Sequence, residues 1–392
     1  MSAAPAAPRP EGDAAVAQTS LAELARLFLW LGCSAFGGPA AHIAMMQDEV
    51  VNRRRWLSEE RFLDLLGATN LIPGPNSTEM AIHIGWAGRR WAGLVVAGAC
   101  FIVPAMLMTG ALAWAYVRFG SRPAAVGLLA GVKPVILVVV LQAIARLAPA
   151  AAPTWPLRAL AVVAIAAAAA GVHELVVLFA AGVLAAGVRA AGRRPGGLRQ
   201  LLPAVPVGAG AAAVAFSLPA LFLVFLKIGS VLFGSGYVLL AFLRADLVER
   251  LHWISEGQLI DAVAAGQVTP GPVFTTATFI GYLLAGPAGA LVATAGIFLP
   301  AFVFVAASGP LVPRLRRSPT AGAFLDGVNV ASLALMAVVT ATLARAAIRD
   351  LASAVIAVAA AVLLFRFKVS STWLVLGGAL AGLVASALGA GR

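Results

Sequence analysis

Apolar residues run in long, nearly uncharged segments along most of the chain, and short polar or Arg-rich loops separate these segments. Residues 262–313 contain no Asp, Glu, Lys, Arg or His, and the same is true of 91–117 and 369–391. About 20 apolar residues are enough for a helix to cross the hydrocarbon core of a bilayer, so each run can span one. The strands of a membrane barrel alternate apolar and polar residues, which these runs do not. The pattern predicts an all-α polytopic membrane protein.

Two Pro-Gly-Pro triplets lie inside apolar segments. Their residues are Pro73, Gly74, Pro75 and Pro270, Gly271, Pro272. Each proline removes a backbone donor and clashes with the preceding turn, at a cost of about 3 kcal/mol in a helix interior. In a membrane, such a break is tolerated only where protein or a water-filled cavity satisfies the freed backbone groups. Breaks at corresponding places in two halves of a chain are typical of a transporter binding site.

The two halves of the chain repeat each other in sequence. An offset of 197 places Phe36 on Phe233, Trp56 on Trp253 and the first triplet on the second. After one residue of slippage the offset becomes 196 and places Pro104 on Pro300. We therefore predict a disordered tail at 1–20, a first repeat at 21–190, a linker that is basic and then apolar at 191–216, and a second repeat at 217–390.

Arg residues in the loops favour an inverted arrangement of the two repeats. If each triplet segment is re-entrant, and each pair of short apolar segments is a hairpin, three full crossings remain per half, and an odd number inverts the second half. Placing the basic linker in the cytoplasm then puts most loop Arg residues there too, as the positive-inside rule expects. The sequence predicts an inverted-topology repeat with broken or re-entrant helices.

Composition narrows the class of protein further. The chain is 61% hydrophobic and 11% charged, with a net charge of +12. Because the Arg residues cluster in loops between apolar runs, membrane orientation explains this charge and no nucleic acid partner is expected. Two cysteines in apolar segments indicate neither a disulfide framework nor a metal site. No phosphate-binding loop of the G-x-x-x-x-G-K-[ST] type occurs, so ATP hydrolysis and a nucleotide cofactor are not expected.

These motifs, in this order and repeated, resemble the chromate ion transporter family in its long-chain, two-domain form. The resemblance lies in Phe36-Gly37-Gly38-Pro39, the loop from Glu49 to Trp56, Pro73-Gly74-Pro75-Asn76-Ser77-Thr78-Glu79, Ile84-Gly85-Trp86, Phe233-Gly234-Ser235-Gly236 and Pro270-Gly271-Pro272. It covers nearly the whole chain after the tail. It implies a secondary transporter that exports chromate across the cytoplasmic membrane and confers chromate resistance, with sulfate or another oxyanion as the alternative substrate.

A helix that starts after Pro-Gly-Pro leaves its first N–H groups unpaired and carries partial positive charge, which suits a tetrahedral dianion. The alternative is a pair of kinks that only shape packing. Lys133 adds a cation within an apolar segment, where it would neutralise substrate charge, pair with Glu79 or snorkel. The predicted substrate-binding residues are Gly37, Gly38, Pro73, Gly74, Pro75, Asn76, Ser77, Thr78, Lys133, Gly234, Ser235, Thr269, Pro270, Gly271, Pro272 and Thr275.

Glu79 and His83 are ionisable residues within or near the membrane, one helical turn apart. Such residues are functional candidates because their insertion costs about 2.5–3.5 kcal/mol. We predict that they carry a coupling proton; the alternative is an interfacial pair that caps the helix end. Thr276 stands at the place of Glu79 in the second repeat, so this role belongs to one half only.

The polar loop before each triplet offers a candidate gate. Glu49 with Arg53, and Asp246 with Arg250, occupy equivalent places and would exchange ion pairs to control entry. The alternative is an interfacial anchor, as Trp and Arg at a membrane boundary often are.

Transport is favoured over two other classes of function. A membrane enzyme would need a nucleophile with a base, or metal ligands, inside the bilayer, and Glu79 with His83 is the one candidate pair. We therefore predict no catalytic and no metal-binding residues. A passive anion channel is the second alternative. The expected partners are the oxyanion and membrane lipid, and a homodimer is compatible with the sequence but not needed to build the site.

Overall fold

The structure is a computed structural model that describes residues 19–36, 38–191, 215–233, 238–316, 318–348 and 350–387. These residues form helices and short connections, without strands. The all-α prediction is therefore confirmed. Most of the predicted tail at 1–20 and of the predicted linker at 191–216 lies outside the described residues, and the domain boundaries stay a prediction.

The described residues of the first half contain seven α-helices. They are α1 (Leu21–Ser34), α2 (Pro39–Gln47), α3 (Glu59–Thr69), α4 (Asn76–Phe119), α5 (Pro123–Ala151), α6 (Trp155–Ala169) and α7 (Glu174–Ala191). Wider, π-helical turns continue α2 over Asp48–Arg53. Serine side chains cap the starts of α1 and α3, as Ser20 accepts a hydrogen bond from the Glu23 N–H and Ser58 from the Arg61 N–H. These side chains satisfy donors that a helix start leaves unpaired.

The second half repeats the first, element by element. Its helices are α8 (Leu218–Val231), α9 (Leu239–Leu243), α10 (Glu256–Val268), α11 (Thr276–Arg316), α12 (Pro319–Ala347), α13 (Leu351–Phe365) and α14 (Ser371–Ala387). A π-helical stretch over Arg244–Arg250 follows α9, and a short 3-10 turn over Val273–Thr275 precedes α11. Both ends of α8 lie 197 residues after those of α1, and both ends of α12 lie 196 residues after those of α5. The predicted repeat is thus present in the helix boundaries as well as in the amino-acid sequence.

Backbone conformation shows the same duplication. Residues with positive φ occur at equivalent places in the two halves even where the side chains differ. The pairs are Arg55 with His252, Gly74 with Gly271, Arg90 with Gly286, and Gly171 with Lys368. Left-handed backbone is costly for residues other than glycine, so its retention at Arg55 and Lys368 reflects the surrounding fold and not the local sequence.

Each long helix reverses direction near its start. In α4 the backbone leaves helical geometry at Arg89 and Arg90, which separates an arm at 76–88 from one at 91–119. Gly85 packs directly on the backbone of Gly93, so closely that a β-carbon would collide with its carbonyl oxygen. Eight residues of straight helix would hold these two about 12 Å apart. The arms therefore run back along each other, and α11 does the same at Ala285 and Gly286, where Gly281 meets Gly289.

The two halves contact each other through their central helices, and the last two helices of each half pack on the other half. Within each half, α1 packs on α4 and α8 on α11; between the halves, α4 packs on α11 and α5 on α12. The closing pair α6–α7 packs on α12 of the second half, and α13–α14 packs on α5 of the first. Glycines permit the exchange, as Gly131 of α5 lies against Gly378 and Gly382 of α14. Neither half has its complete set of neighbours without the other.

Four helical stretches in the described part of the chain are long and apolar enough to cross a membrane. They are Asn76–Phe119, Pro123–Ala151, Val273–Ser308 and Pro319–Ala347. Apolar side chains such as Trp91, Leu107, Leu351 and Trp373 are more than half exposed, as expected of surfaces that face lipid. Together these features describe a multi-pass membrane protein.

Candidate functional site

Each Pro-Gly-Pro break contacts the opposite half through one backbone hydrogen bond. The Gly74 N–H donates to the Leu232 carbonyl oxygen at 2.8 Å, and the Gly271 N–H donates to the Ala35 carbonyl oxygen at 2.9 Å. Leu232 and Ala35 are equivalent residues that end the first helix of each half. The two breaks therefore pair reciprocally with the two halves, and the donors of Gly74 and Gly271 are used within the protein.

Both glycines are required by backbone conformation as well as by space. Gly74 has φ +140° and Gly271 has φ +87°. A β-carbon on Gly271 would lie 2.8 Å from the Ala105 Cβ on the other half's long helix. A β-carbon on Gly74 would collide with Oε1 of Glu79, whose carboxyl group folds back against the break.

The first-half break opens into a helix without a side-chain cap. Pro75 is the N-cap of α4, and its carbonyl oxygen accepts from the N–H groups of Thr78 and Glu79. The Asn76 and Ser77 N–H groups precede these and are among the donors that a helix start leaves without partners inside the helix. Backbone donors and a partial positive charge thus meet at this break.

Polar side chains gather around this helix start. Asn76 donates to Asn70 at 2.9 Å across the break, and His42 Nδ1 lies 3.3 Å from the Ser77 hydroxyl. The Thr78 hydroxyl and both oxygens of Glu79 are buried and have no hydrogen-bond partner among the described residues. Buried polar groups are usually paired, so these atoms are candidates for holding a proton or a ligand.

His83 lies one turn beyond Glu79 and is also buried, with Nε2 unpaired among the described residues. The guanidinium of Arg61, in the first turn of α3, is close enough to act electrostatically on His83. The structure therefore places the two predicted proton-coupling residues on one buried helix start, with a nearby cation.

Hydroxyl groups line the second-half break, whereas carboxyl and imidazole groups lie near the first. The Thr109 hydroxyl, on the long helix of the first half, lies 3.2 Å from both the Thr269 and the Thr275 hydroxyls. Pro272 is the N-cap of the turn, again without a side-chain cap, and accepts from the Thr275 hydroxyl at 2.9 Å. This break is lined by neutral donors and acceptors.

The equivalent contact in the first half is apolar. Ile72 stands at the place of Thr269 and Val305 at the place of Thr109, and the two belong to one buried cluster with Ala301. The two breaks therefore have the same Pro-Gly-Pro backbone motif, but their side chains differ in chemistry.

Lys133 belongs to a contact between the two halves of the chain. Its Nζ lies 3.3 Å from Oδ2 of Asp261 on α10, and the Tyr116 hydroxyl donates to the same oxygen at 3.0 Å. Asp261 is 4% exposed, and its other oxygen has no partner among the described residues. Of the two partners considered, Glu79 and the lipid interface, the structure does not pair Lys133 with Glu79 but with Asp261; snorkelling stays a prediction.

The loop residues predicted to gate entry form ion pairs within their own halves. Glu49 contacts Arg53 and Arg54, each at 3.0 Å. Asp246 contacts Arg250 and Lys227, each at 2.6 Å, and is 1% exposed. The equivalent carboxylates thus hold equivalent arginines, and Asp246 has gained a lysine that the first half lacks, since Trp30 stands there.

Three predicted substrate-binding residues, Gly37, Gly234 and Ser235, lie outside the described residues. Gly38 is described and has φ +79° at the start of α2, where Pro39 is the first helical residue. Gly38 thus lies in the break between α1 and α2.

The sequence reasoning missed three side chains near these breaks. His42 and Thr109 stand where the other half has Leu239 and Val305, so a comparison of polar with apolar residues at the repeat offset would have found them. The contact of Asp261 with Lys133 across the halves has no signal in the repeat.

Comparison with known proteins agrees with this architecture. The sequence model of one family, described as "Chromate transporter", matches residues 22–186 and 207–383, one stretch in each half. A "Chromate transport protein" from Cupriavidus metallidurans is 34% identical over 374 residues, which cover 93% of each chain. Another from Pseudomonas aeruginosa is 32% identical over 83% of this chain and 82% of the relative. No solved structure matches. The chain therefore belongs to the chromate transporter family.

Proposed function

We propose that this protein is a secondary active transporter that exports chromate across the cytoplasmic membrane. Family membership and the names of its relatives in Cupriavidus metallidurans and Pseudomonas aeruginosa support chromate as the substrate. We propose export as the direction because the family resemblance implies chromate resistance, and resistance requires the ion to leave the cell.

One observation carries the proposal: two uncapped helix starts follow two Pro-Gly-Pro breaks, and each break is bonded to the opposite half. Partial positive charge and free N–H groups at a helix start bind a dianion without a full countercharge. Asn76, Ser77 and Thr78 supply donors at the first start, and Thr269 and Thr275 supply hydroxyls at the second. Gly74 and Gly271 contribute shape, because their N–H groups bond to Leu232 and Ala35.

The two breaks have different tasks in this mechanism. A charged carboxylate that is fully buried without a hydrogen bond is unfavourable, so Glu79 is the group that takes up a proton. The second break has Thr276 at this place and no buried carboxylate at its helix start. The proton therefore moves through the first break, while hydroxyls and N–H groups of both breaks hold the anion.

The repeats have inverted topology in this proposal. The reversal within α4 and α11, and the proximity of Arg61 to His83, support a re-entrant hairpin made by α3 and the first arm of α4. The broken helix α1–α2, the second arm of α4 and α5 then cross the membrane once each. The pair α6–α7 adds an even number of crossings, so the second half starts on the opposite side.

Uptake of chromate into everted membrane vesicles tests this function. Vesicles with the protein are expected to accumulate chromate above the external concentration when a proton gradient is imposed, and control vesicles without it are not. Sulfate in tenfold excess should inhibit chromate uptake if the site distinguishes anions only by charge and shape. Transport of sulfate without chromate would refute the substrate, and equilibration without accumulation would show a passive channel.

A further inference from the structure

The contact between Lys133 and Asp261 joins the two halves at a point where the chain is not symmetric. Lys133 lies on α5 of the first half and Asp261 on α10 of the second, with 3.3 Å between Nζ and Oδ2. At the equivalent places the chain has Asn329 and Asp64, and Val312 takes the place of Tyr116. This group of lysine, carboxylate and tyrosine is therefore present once.

The lysine is more accessible than the carboxylate. The Lys133 side chain is 26% exposed, whereas that of Asp261 is 3% exposed. An ammonium group has three donors, and one neighbouring carboxylate occupies only part of them. Tyr116 holds Asp261 independently through its hydroxyl, and its ring packs on Phe279 of α11 with 5.2 Å between centroids.

Asp261 is also connected to the second break by a single helix. α10 carries Asp261 in its middle and ends at Val268, immediately before Thr269 and the Pro-Gly-Pro triplet. A movement of α10 relative to α5 would therefore move the break whose Gly271 is bonded to Ala35 of the first half.

We propose that Asp261 is a positioning residue that withholds Lys133 from the substrate, and that an entering oxyanion dianion takes Lys133 from Asp261. The inference rests on the proposed function, since it concerns the same transported ion. A buried carboxylate that loses its cation is strongly destabilised, so the exchange drives α10 away from α5. Tyr116 remains bonded to Asp261 throughout. Anion capture by the first half thereby shifts the second-half break.

Affinity for a dianion tests the exchange directly. The dissociation constant for chromate and for sulfate is measured from the thermal shift of the purified full-length protein, and KM and kcat are measured in proteoliposomes. Asp261→Asn frees Lys133 and is expected to tighten binding about tenfold while kcat falls. Lys133→Gln weakens binding about tenfold, and the double variant binds as Lys133→Gln does.

Two further variants control for folding. Glu256 lies on the same helix as Asp261 and forms an ion pair with Arg244 of the same half. Glu256→Gln breaks this ion pair and should leave both dissociation constants unchanged. If Asp261→Asn does not fold, Tyr116→Phe replaces it; Asp261 then depends on Lys133 alone, and binding weakens about threefold.

A purely structural contact gives a different result. Every variant would then lower the melting temperature and leave the dissociation constants of the folded protein unchanged, which overturns the inference. A wild-type protein that binds both dianions and moves neither would refute the proposed function while the exchange stands. A wild-type protein that binds neither dianion would overturn both.

Discussion

The N–H of Gly74 donates to the carbonyl oxygen of Leu232, 2.8 Å away in the opposite half of the chain. Gly271 repeats the bond with Ala35 at 2.9 Å. Each half thus holds the break of the other at the end of its own first helix. A change in how the halves contact one another must also change the geometry of the two breaks, which is what a transporter with a site between its halves requires.

Replacement of either break glycine by alanine is expected to impair both stability and transport. Gly74→Ala and Gly271→Ala each introduce a β-carbon at positive φ, at a cost of about 1–2 kcal/mol, and each adds a collision. Chromate uptake should fall strongly in both. Gly187→Ala and Gly377→Ala are matched controls, because nothing lies within 4 Å of either glycine and neither has positive φ. Equal uptake by break and control variants would contradict the account.

Lys368→Gly is expected to stabilise the protein. Lys368 has φ +55° at the turn where the first half has Gly171, and it is exposed. Glycine adopts a left-handed backbone without strain, so the free energy of unfolding should rise by about 1 kcal/mol, and no buried contact is lost. The reciprocal Gly171→Ala should destabilise by a similar amount. Thermal unfolding in detergent measures both; shifts of the same sign would show that the two turns are not equivalent.

Residues 121 and 318 are expected on opposite sides of the membrane. Ser121 lies in the turn between α4 and α5, and Ser318 between α11 and α12, at nearly equivalent places. After Cys33 and Cys100 are replaced by serine, Ser121→Cys and Ser318→Cys are each treated with a membrane-impermeant maleimide in intact cells. Inverted repeats predict that only one is labelled. Equal labelling from the same side would refute the inverted arrangement.

The helical class, the repeat and the breaks could be predicted from sequence because each has a local cause. Long runs without charge need a bilayer, and proline with glycine interrupts a helix wherever it stands. The offset that pairs Pro73 with Pro270 also pairs both ends of α1 with those of α8. These features depend on residues that are close in sequence and on composition, and both can be read from the amino-acid sequence.

Contacts between the halves could not be predicted in this way. The sequence around Gly74 does not indicate that Leu232 accepts its hydrogen bond, and the sequence around Lys133 does not indicate Asp261 as its ion-pair partner. The packing of α13–α14 on α5, rather than on their own half, depends on close contacts such as Gly131 with Gly378. Such partners are distant in sequence and are selected by the shape of the assembled helices.

The first break is proposed to couple proton movement to chromate transport through Glu79. The most direct measurement is chromate accumulation by proteoliposomes under an imposed pH gradient, for the wild type and for Glu79→Gln. The wild type is predicted to concentrate chromate, whereas Glu79→Gln should only equilibrate it and show no response to the gradient. Thr276→Val, at the equivalent place in the second half, should keep the response. Full gradient-driven accumulation by Glu79→Gln would contradict the account.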